Sequence, residues 1–317
     1  MDHQPVTHTT TDRRLGHFPS GRDISVTVHR YAGGDGPTVF VQAAQHGIEL
    51  NGPAALRRLH HRLVDAEIAG TVVAIPVVNP IAFDHRSYLT PEAYDALNPN
   101  FNRIWPGDAD GSLQERLAAN VWPLVEAADA AIDLHTGMPE MLEHVRFQAG
   151  DADARSVAEA FGTEVLLADA DPVGGDDFAG KFRLAAAGAG VPTITAELSN
   201  SRTVQRPAVG AGVEGVWNVL RERGVVAEPP EPTAEQRLLR DDAPRTIAQA
   251  SGLFELRSDL AVGKEVTEGE TLGGVFDPAS FERLETVVAS ADGVIYSVAR
   301  GGVVVTGERI ASIATRP

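Results

Sequence analysis

The chain of 317 residues is 43% hydrophobic and 22% charged, an ordinary balance for a folded protein able to bury a sizeable core in one large domain and a smaller one. A formal charge of -17, with Lys181 and Lys264 the only lysines, argues against a nucleic-acid partner and fits solubility or adaptation to salt. The absence of cysteine excludes disulfides and thiolate metal sites, so a metal would have to be held by His, Asp or Glu.

The first segment, MDHQPVTHTTTDRR, is polar and charged where a signal peptide needs an apolar core, and no later segment approaches a membrane span. The expected location is therefore the cytoplasm, away from membranes. From about Asp23 to Arg223, short β-branched runs alternate with stretches of helical period. The predicted strands are ISVTVHR, TVFVQAA, TVVAIPVV, AAIDL, VRFQA, EVLLA and TITAEL. The predicted helices are GPAALRRLHHRLVDA, SLQERLAANVWPLVEAA, DARSVAEAFG and VGAGVEGVWNVLRER. This alternation indicates an α/β domain, a parallel or mixed sheet with helices on its faces, in which sites gather beyond the carboxyl ends of the strands.

Proline and acidic residues in VVAEPPEPTAEQ break the pattern. The chain thus divides into a catalytic-type domain over 1–228, a linker over 229–245 and a small all-β domain over 246–317, rich in Gly turns and carrying a weak V-x-x-G-E repeat.

Three predicted strand ends carry chemistry. QAAQHGIELNG places His46 and Glu49 just after a strand, with Gly47 and Gly52 expected to let the backbone turn sharply. AAIDLHTG ends a second strand on Asp133 and His135, which alternation points to one face while Leu134 points to the other. TITAELSN ends a third on Glu197. Two imidazoles and a carboxylate with one open position are the ligand set of a catalytic zinc: His46, Glu49 and His135, one ion per chain. Glu197 would stay off the metal as a general base, and Asp133 would orient an imidazole through its other nitrogen. Taken singly, His-x-x-Glu recurs by chance, His135 reads more readily as a core histidine, and Glu197 as a solvated strand end; their conjunction at three strand ends favours a site. The long Asn- and Pro-rich loop before the second predicted helix contains Arg86, Asn102 and Arg103. A guanidinium there would clamp a substrate carboxylate, unless it merely pairs with surface acids.

The series His-Gly-x-Glu-x-x-Gly, Asn-Pro, Arg-x-Tyr, Asn-Arg with Pro-Gly behind it, Asp-Leu-His-Thr-Gly and a strand ending in Glu resembles the succinylglutamate desuccinylase and aspartoacylase family, a branch of the zinc carboxypeptidase fold, over roughly Thr38 to Ser199. The resemblance implies zinc on His46, Glu49 and His135. It also implies that Glu197 activates water and protonates the leaving amine, that Arg86 polarises the scissile carbonyl, and that Asn102 and Arg103 grip the substrate carboxylate. The implied reaction is hydrolysis of a small N-acyl amino acid. The family's Asp-Leu-Asn-Arg reads NFNR here, with Asn100 in place of the acid, and the gap from Arg86 to Asn102 is longer than in the shorter members. Tyr296 is a counterpart to a tyrosine that some members supply from the C-terminal domain. That domain resembles the barrel-sandwich hybrid of lipoyl and biotinyl carriers, but ASADGVI stands where a carrier needs its lysine. It is therefore expected to cap the active site or to mediate homo-oligomerisation. A zinc carboxypeptidase with an open groove and a non-catalytic binder of metal or carboxylate are the alternative readings.

Overall fold

The computed structural model describes residues 2–137, 140–169, 180–231, 235–299 and 302–317. The first part of the chain forms β1 (Gln4–Pro5), β2 (Thr7–His17), β3 (Asp23–Ala32), β4 (Gly34–Ala43), α1 (Asn51–Val64), β5 (Glu67–Ile75), α2 (Pro80–Asp84), α3 (Leu113–Glu126) and β6 (Ala130–Gly137). There follow β7 (Glu140–Met141), β8 (His144–Gln148), α4 (Ala152–Phe161), β9 (Val165–Asp169), α5 (Phe182–Gly188), β10 (Thr193–Asn200), α6 (Arg206–Glu222) and β11 (Arg237–Arg240). The strands make one mixed sheet in the order β11-β9-β8-β10-β6-β4-β5-β3-β2, with β1 on β5. This is the α/β architecture with a zinc-carboxypeptidase-like mixed sheet that the sequence led us to expect.

The central strands are apolar on both faces because both are covered. Val39, Val41, Ala43, Ala130, Ile132 and Leu134 pack on one side with Leu56 and Leu59 of α1, Val157 of α4 and Val216 of α6. Their neighbours Phe40 and Ala131 pack on the other with Leu117 and Val121 of α3 and Phe182 of α5. The two-residue period therefore places Asp133 and His135 on the α3/α5 side, opposite Leu134. Helix α3 starts where a capping box forms, the Ser112 side chain bonding the N3 backbone and Glu115 returning to the Ser112 N–H at 2.7 Å.

Two expectations need correcting. Residues 237–240, placed within the linker, instead form β11, parallel to β9, because Leu239 buries itself against Val165, Leu167 and Tyr296. Gly47 and Gly52 do not adopt left-handed turns. They are glycine because of close packing: a Cβ on Gly47 would lie 2.0 Å from the Ala82 carbonyl oxygen, and one on Gly52 2.9 Å from the Leu134 Cβ.

The C-terminal part is all β. One sheet runs β12 (Thr246–Ile247), β19 (Arg309–Ala314), β17 (Gly293–Val298), β14 (Glu265–Val266); the other runs β16 (Arg283–Val288), β15 (Thr271–Phe276), β13 (Gly252–Leu256), β18 (Val303–Val304). Between them lie Phe254, Leu272, Val275, Ile295 and Ile313. Strand β7 pairs with β17, and Leu239 shares an apolar cluster with Val294, Tyr296 and Ala314, so this part packs directly on the large sheet. No helix among the described residues is long and apolar enough to cross a membrane.

Candidate metal centre and substrate pocket

The parallel neighbours β4, β6 and β10 end at one rim. Beyond β4 the backbone breaks away at Ala44, in the left-handed region with φ 56°, a conformation that costs a non-glycine residue roughly 1 kcal/mol or more. It is held there by Asn79, whose N–H bonds the Ala44 carbonyl and whose side-chain Nδ2 donates to the Gln45 carbonyl at 3.0 Å. The Asn-Pro motif thus fixes the loop that carries His46, and the Asn79 side chain also caps α2.

His46, Glu49 and His135 are all buried, and a ligand atom of each lies within 4.8 Å of the others. Nδ1 of His46 is 2.9 Å from Glu49 Oε1, and Nδ1 of His135 is 3.0 Å from Glu49 Oε2. The second contact is close without hydrogen-bond alignment, so Oε2 is a sealed oxygen with no hydrogen-bond partner. The outer nitrogens fix the tautomers. His135 Nε2 donates to Asp133 Oδ2 at 2.8 Å, and that carboxylate is itself held by Gln45 Nε2 at 2.7 Å and Gln42 Nε2 at 3.2 Å. His46 Nε2 faces Asn100 Oδ1 at 3.2 Å. The same Asn100 atom accepts the Asn102 N–H at 3.0 Å, which identifies it as oxygen and makes His46 Nε2 the donor. Both Nδ1 atoms therefore face a buried carboxylate.

Two imidazoles converging on a carboxylate out of water call for positive charge among them, a proton or a metal ion. Burial alone would raise the Glu49 carboxyl, but the His135 and His46 imidazoles overcome it and bring it to about 2. Burial would lower His135, yet Asp133 and Glu49 raise it well above its ordinary value. The same pull for positive charge would serve a divalent ion, and two imidazoles with one carboxylate are the donors a catalytic zinc takes. The residues present fit zinc.

Glu197 stands opposite His135 in the register of β10 and β6, with its Oε2 buried and without a hydrogen-bond partner. Burial pushes its carboxyl up, against the lowering influence of His135. It lines a cavity of about 360 Å3 together with His46, Glu49, His135, Asn102 and Arg103. Asn102 Oδ1 accepts the Phe182 N–H at 2.9 Å, which leaves the amide NH2 to face a ligand. Arg86 is not brought to the cavity: it is exposed, with φ 53°, and does not line it. The chain reverses direction at Arg86, and the residue that enters is Tyr88, whose ring stacks on His46 at 4.0 Å between centroids. Burial, then Glu49, raises the Tyr88 hydroxyl to about 12, so it stays protonated.

A second group of lining residues was not evident from sequence. Because β8 runs antiparallel to β10, its first residues reach the same rim, His144 opposite Glu197. Arg146 bridges Asp169 and Asp241, Arg183 also binds Asp169, and Arg245 binds Asp241 and the Tyr296 hydroxyl. Asp241 and Arg245 come from the stretch expected to be linker, just past β11. Tyr296 and Arg309, from β17 and β19, line the cavity as well. Lys181 also faces it; burial, then Arg146 and Arg103, lower its ammonium to about 7.

A sequence model of the succinylglutamate desuccinylase/aspartoacylase catalytic domain matches residues 35–223. The N-alpha-acetyl-L-2,4-diaminobutyric acid deacetylase of Halomonas elongata is 29% identical over 270 residues, 80% of this chain and 74% of that protein. Among solved structures, a succinylglutamate desuccinylase/aspartoacylase from Rhodobacter sphaeroides superposes with a TM-score of 0.85 at 24% identity, covering 100% of this chain and 97% of that one. The product-bound ectoine utilization protein EutE (DoeB) of Ruegeria pomeroyi superposes equally well, TM-score 0.85 at 23% identity, covering 99% and 96% of the two chains.

Proposed function

The chain belongs to the succinylglutamate desuccinylase/aspartoacylase family, and from that we propose that it is a zinc-dependent deacylase that hydrolyses the amide of a small N-acyl amino acid, an N-α-acetylated diamino acid first among them. The observation that carries this reading is the shape of the site. Glu197 and the His46, Glu49, His135 group open into a cavity of about 360 Å3 bounded on one side by Tyr296 and Arg309 of the C-terminal strands. Such a space suits a small molecule, whereas a carboxypeptidase needs a groove open to a peptide chain. The name of the Halomonas elongata relative supports the acetylated diamino acid.

His46, Glu49 and His135 would hold the ion, which when bound supplies Lewis acidity for the scissile carbonyl and lowers the pKa of a water toward about 7. The protein's own groups do the rest. Arg103 and the Asn102 amide bind the substrate carboxylate and so fix the amide's position relative to Glu197. Glu197 takes a proton from the attacking water and delivers it to the leaving nitrogen, a task suited to a carboxyl raised by burial. The Tyr88 ring, stacked on His46, holds that imidazole in its plane.

The test is amine release from N-α-acetyl-2,4-diaminobutyrate, N-acetylaspartate, N-succinylglutamate and a C-terminally free tripeptide. The highest kcat/KM is expected for the first, and preferential release of the tripeptide's last residue would overturn the reading.

A further inference from the structure

Toward the β2 edge of the sheet, among residues that do not line the substrate pocket, three histidines meet. Strand β2 is the sheet edge, and its His8 stands directly opposite Tyr31 of β3; His29, two residues before Tyr31, shares that face. Helix α1 crosses this face and contributes His60. All three imidazoles are half-buried, and one nitrogen of each lies within 4.8 Å of the others. His8 Nε2 and His29 Nδ1 are 3.2 Å apart. The Tyr31 hydroxyl is 2.8 Å from His60 Nδ1, and its ring lies 4.6 Å from that of His8.

We propose that His8, His29 and His60 form a second metal site, separate from the catalytic centre, for a nitrogen-preferring divalent cation such as zinc, and that the ion ties edge strand β2 to β3 and α1. The separation of the first two nitrogens supports it: zinc bonds of about 2.0–2.1 Å in a tetrahedron put ligand atoms roughly 3.3 Å apart. A nitrogen of the third ring, His60, already lies within 4.8 Å of a nitrogen of each of the other two. Tyr31 does for His60 what an outer-shell group does for a ligand, holding one ring nitrogen so that the other is available. A cluster meant only to pack would gain nothing from three basic nitrogens turned toward one another across three separate elements. The chain's net negative charge further favours a bound cation.

The test is zinc stoichiometry by equilibrium dialysis of chelator-stripped, full-length protein against micromolar zinc chloride. The wild type is expected to bind two ions per chain, and His29→Asn and His60→Asn one fewer than wild type, with deacylase turnover unchanged. His46→Asn removes the other ion, so a failure of the catalytic-site assignment reads out separately. In the His46→Asn protein, zinc is expected to raise the Tm, and adding His60→Asn to it abolishes that rise. His8→Asn, on the exposed edge strand, repeats the count with least risk to folding, and circular dichroism verifies each variant. Unchanged zinc counts in folded His8→Asn and His29→Asn proteins would overturn the proposal.

Discussion

Nε2 of His46 lies 3.2 Å from Oδ1 of Asn100, so a neutral amide holds the outer nitrogen of one proposed ligand where the related pattern has an acid. The departure at NFNR therefore keeps the acceptor and drops only its charge. Asn100→Ala should weaken zinc affinity about 10- to 100-fold by freeing the ring. Asn100→Asp, which restores the charge on an acceptor of the same length, should bind zinc at least as tightly as wild type. Competition with a chromophoric chelator measures both.

Glu197→Gln keeps the shape and removes the proton acceptor. Turnover is expected to fall by about 10²-fold or more while zinc content stays at the wild-type value. Rapid turnover by the metal-loaded variant would remove Glu197 from its role as base.

Arg86 and Arg103 separate cleanly. Arg86 is exposed and outside the cavity, so Arg86→Ala should leave kcat/KM within about twofold. Arg103 lines the cavity, and Arg103→Ala should raise KM about 10- to 100-fold, equivalent to roughly 1.5–3 kcal/mol for a charge-assisted bond to the substrate. Steady-state kinetics of the two variants test this.

Asp241 joins the two parts of the chain through Arg146, Arg245 and the Tyr296 hydroxyl. Burial would raise its carboxyl, but Arg146 and Arg245 hold it far below the usual carboxylate range. A depressed folded-state pKa stabilises above the unfolded value of about 4, and the benefit is lost as the pH falls below it. Asp241→Asn, which takes the carboxylate from Arg245 and leaves Arg146 with Asp169 alone, should cost about 3 kcal/mol in denaturant unfolding at pH 7. The deficit should narrow below about pH 4, where the carboxyl takes up a proton in the unfolded chain while the folded state still holds it charged.

How much of this was legible in the sequence follows from which contacts are local. His46 and Glu49 lie within one turn of chain, and Asp133 and His135 share a face by strand alternation, so both halves of the metal group could be read from spacing. Strand β2 could not: as an edge strand most of THTTTDRRLGH is exposed, and no apolar period marks it. Strand β11 was hidden by the prolines just before it. The Arg146, Asp169, Arg183, Asp241 and Arg245 network joins four separate segments, and nothing in a lone Arg or Asp distinguishes a buried bridge from a solvated surface charge. The loop after α2 reverses at Arg86, so the position expected to supply an arginine supplies Tyr88 instead.

The central claim is that His46, Glu49 and His135 hold a zinc ion on which deacylation depends. Chelator-stripped protein, verified as metal-free, should lose about 10²-fold or more of its turnover of N-α-acetyl-2,4-diaminobutyrate and regain it on adding zinc. His135→Asn treated in the same way should regain nothing. Metal-free wild type turning over at the untreated rate, or His135→Asn fully restored by zinc, would contradict the account.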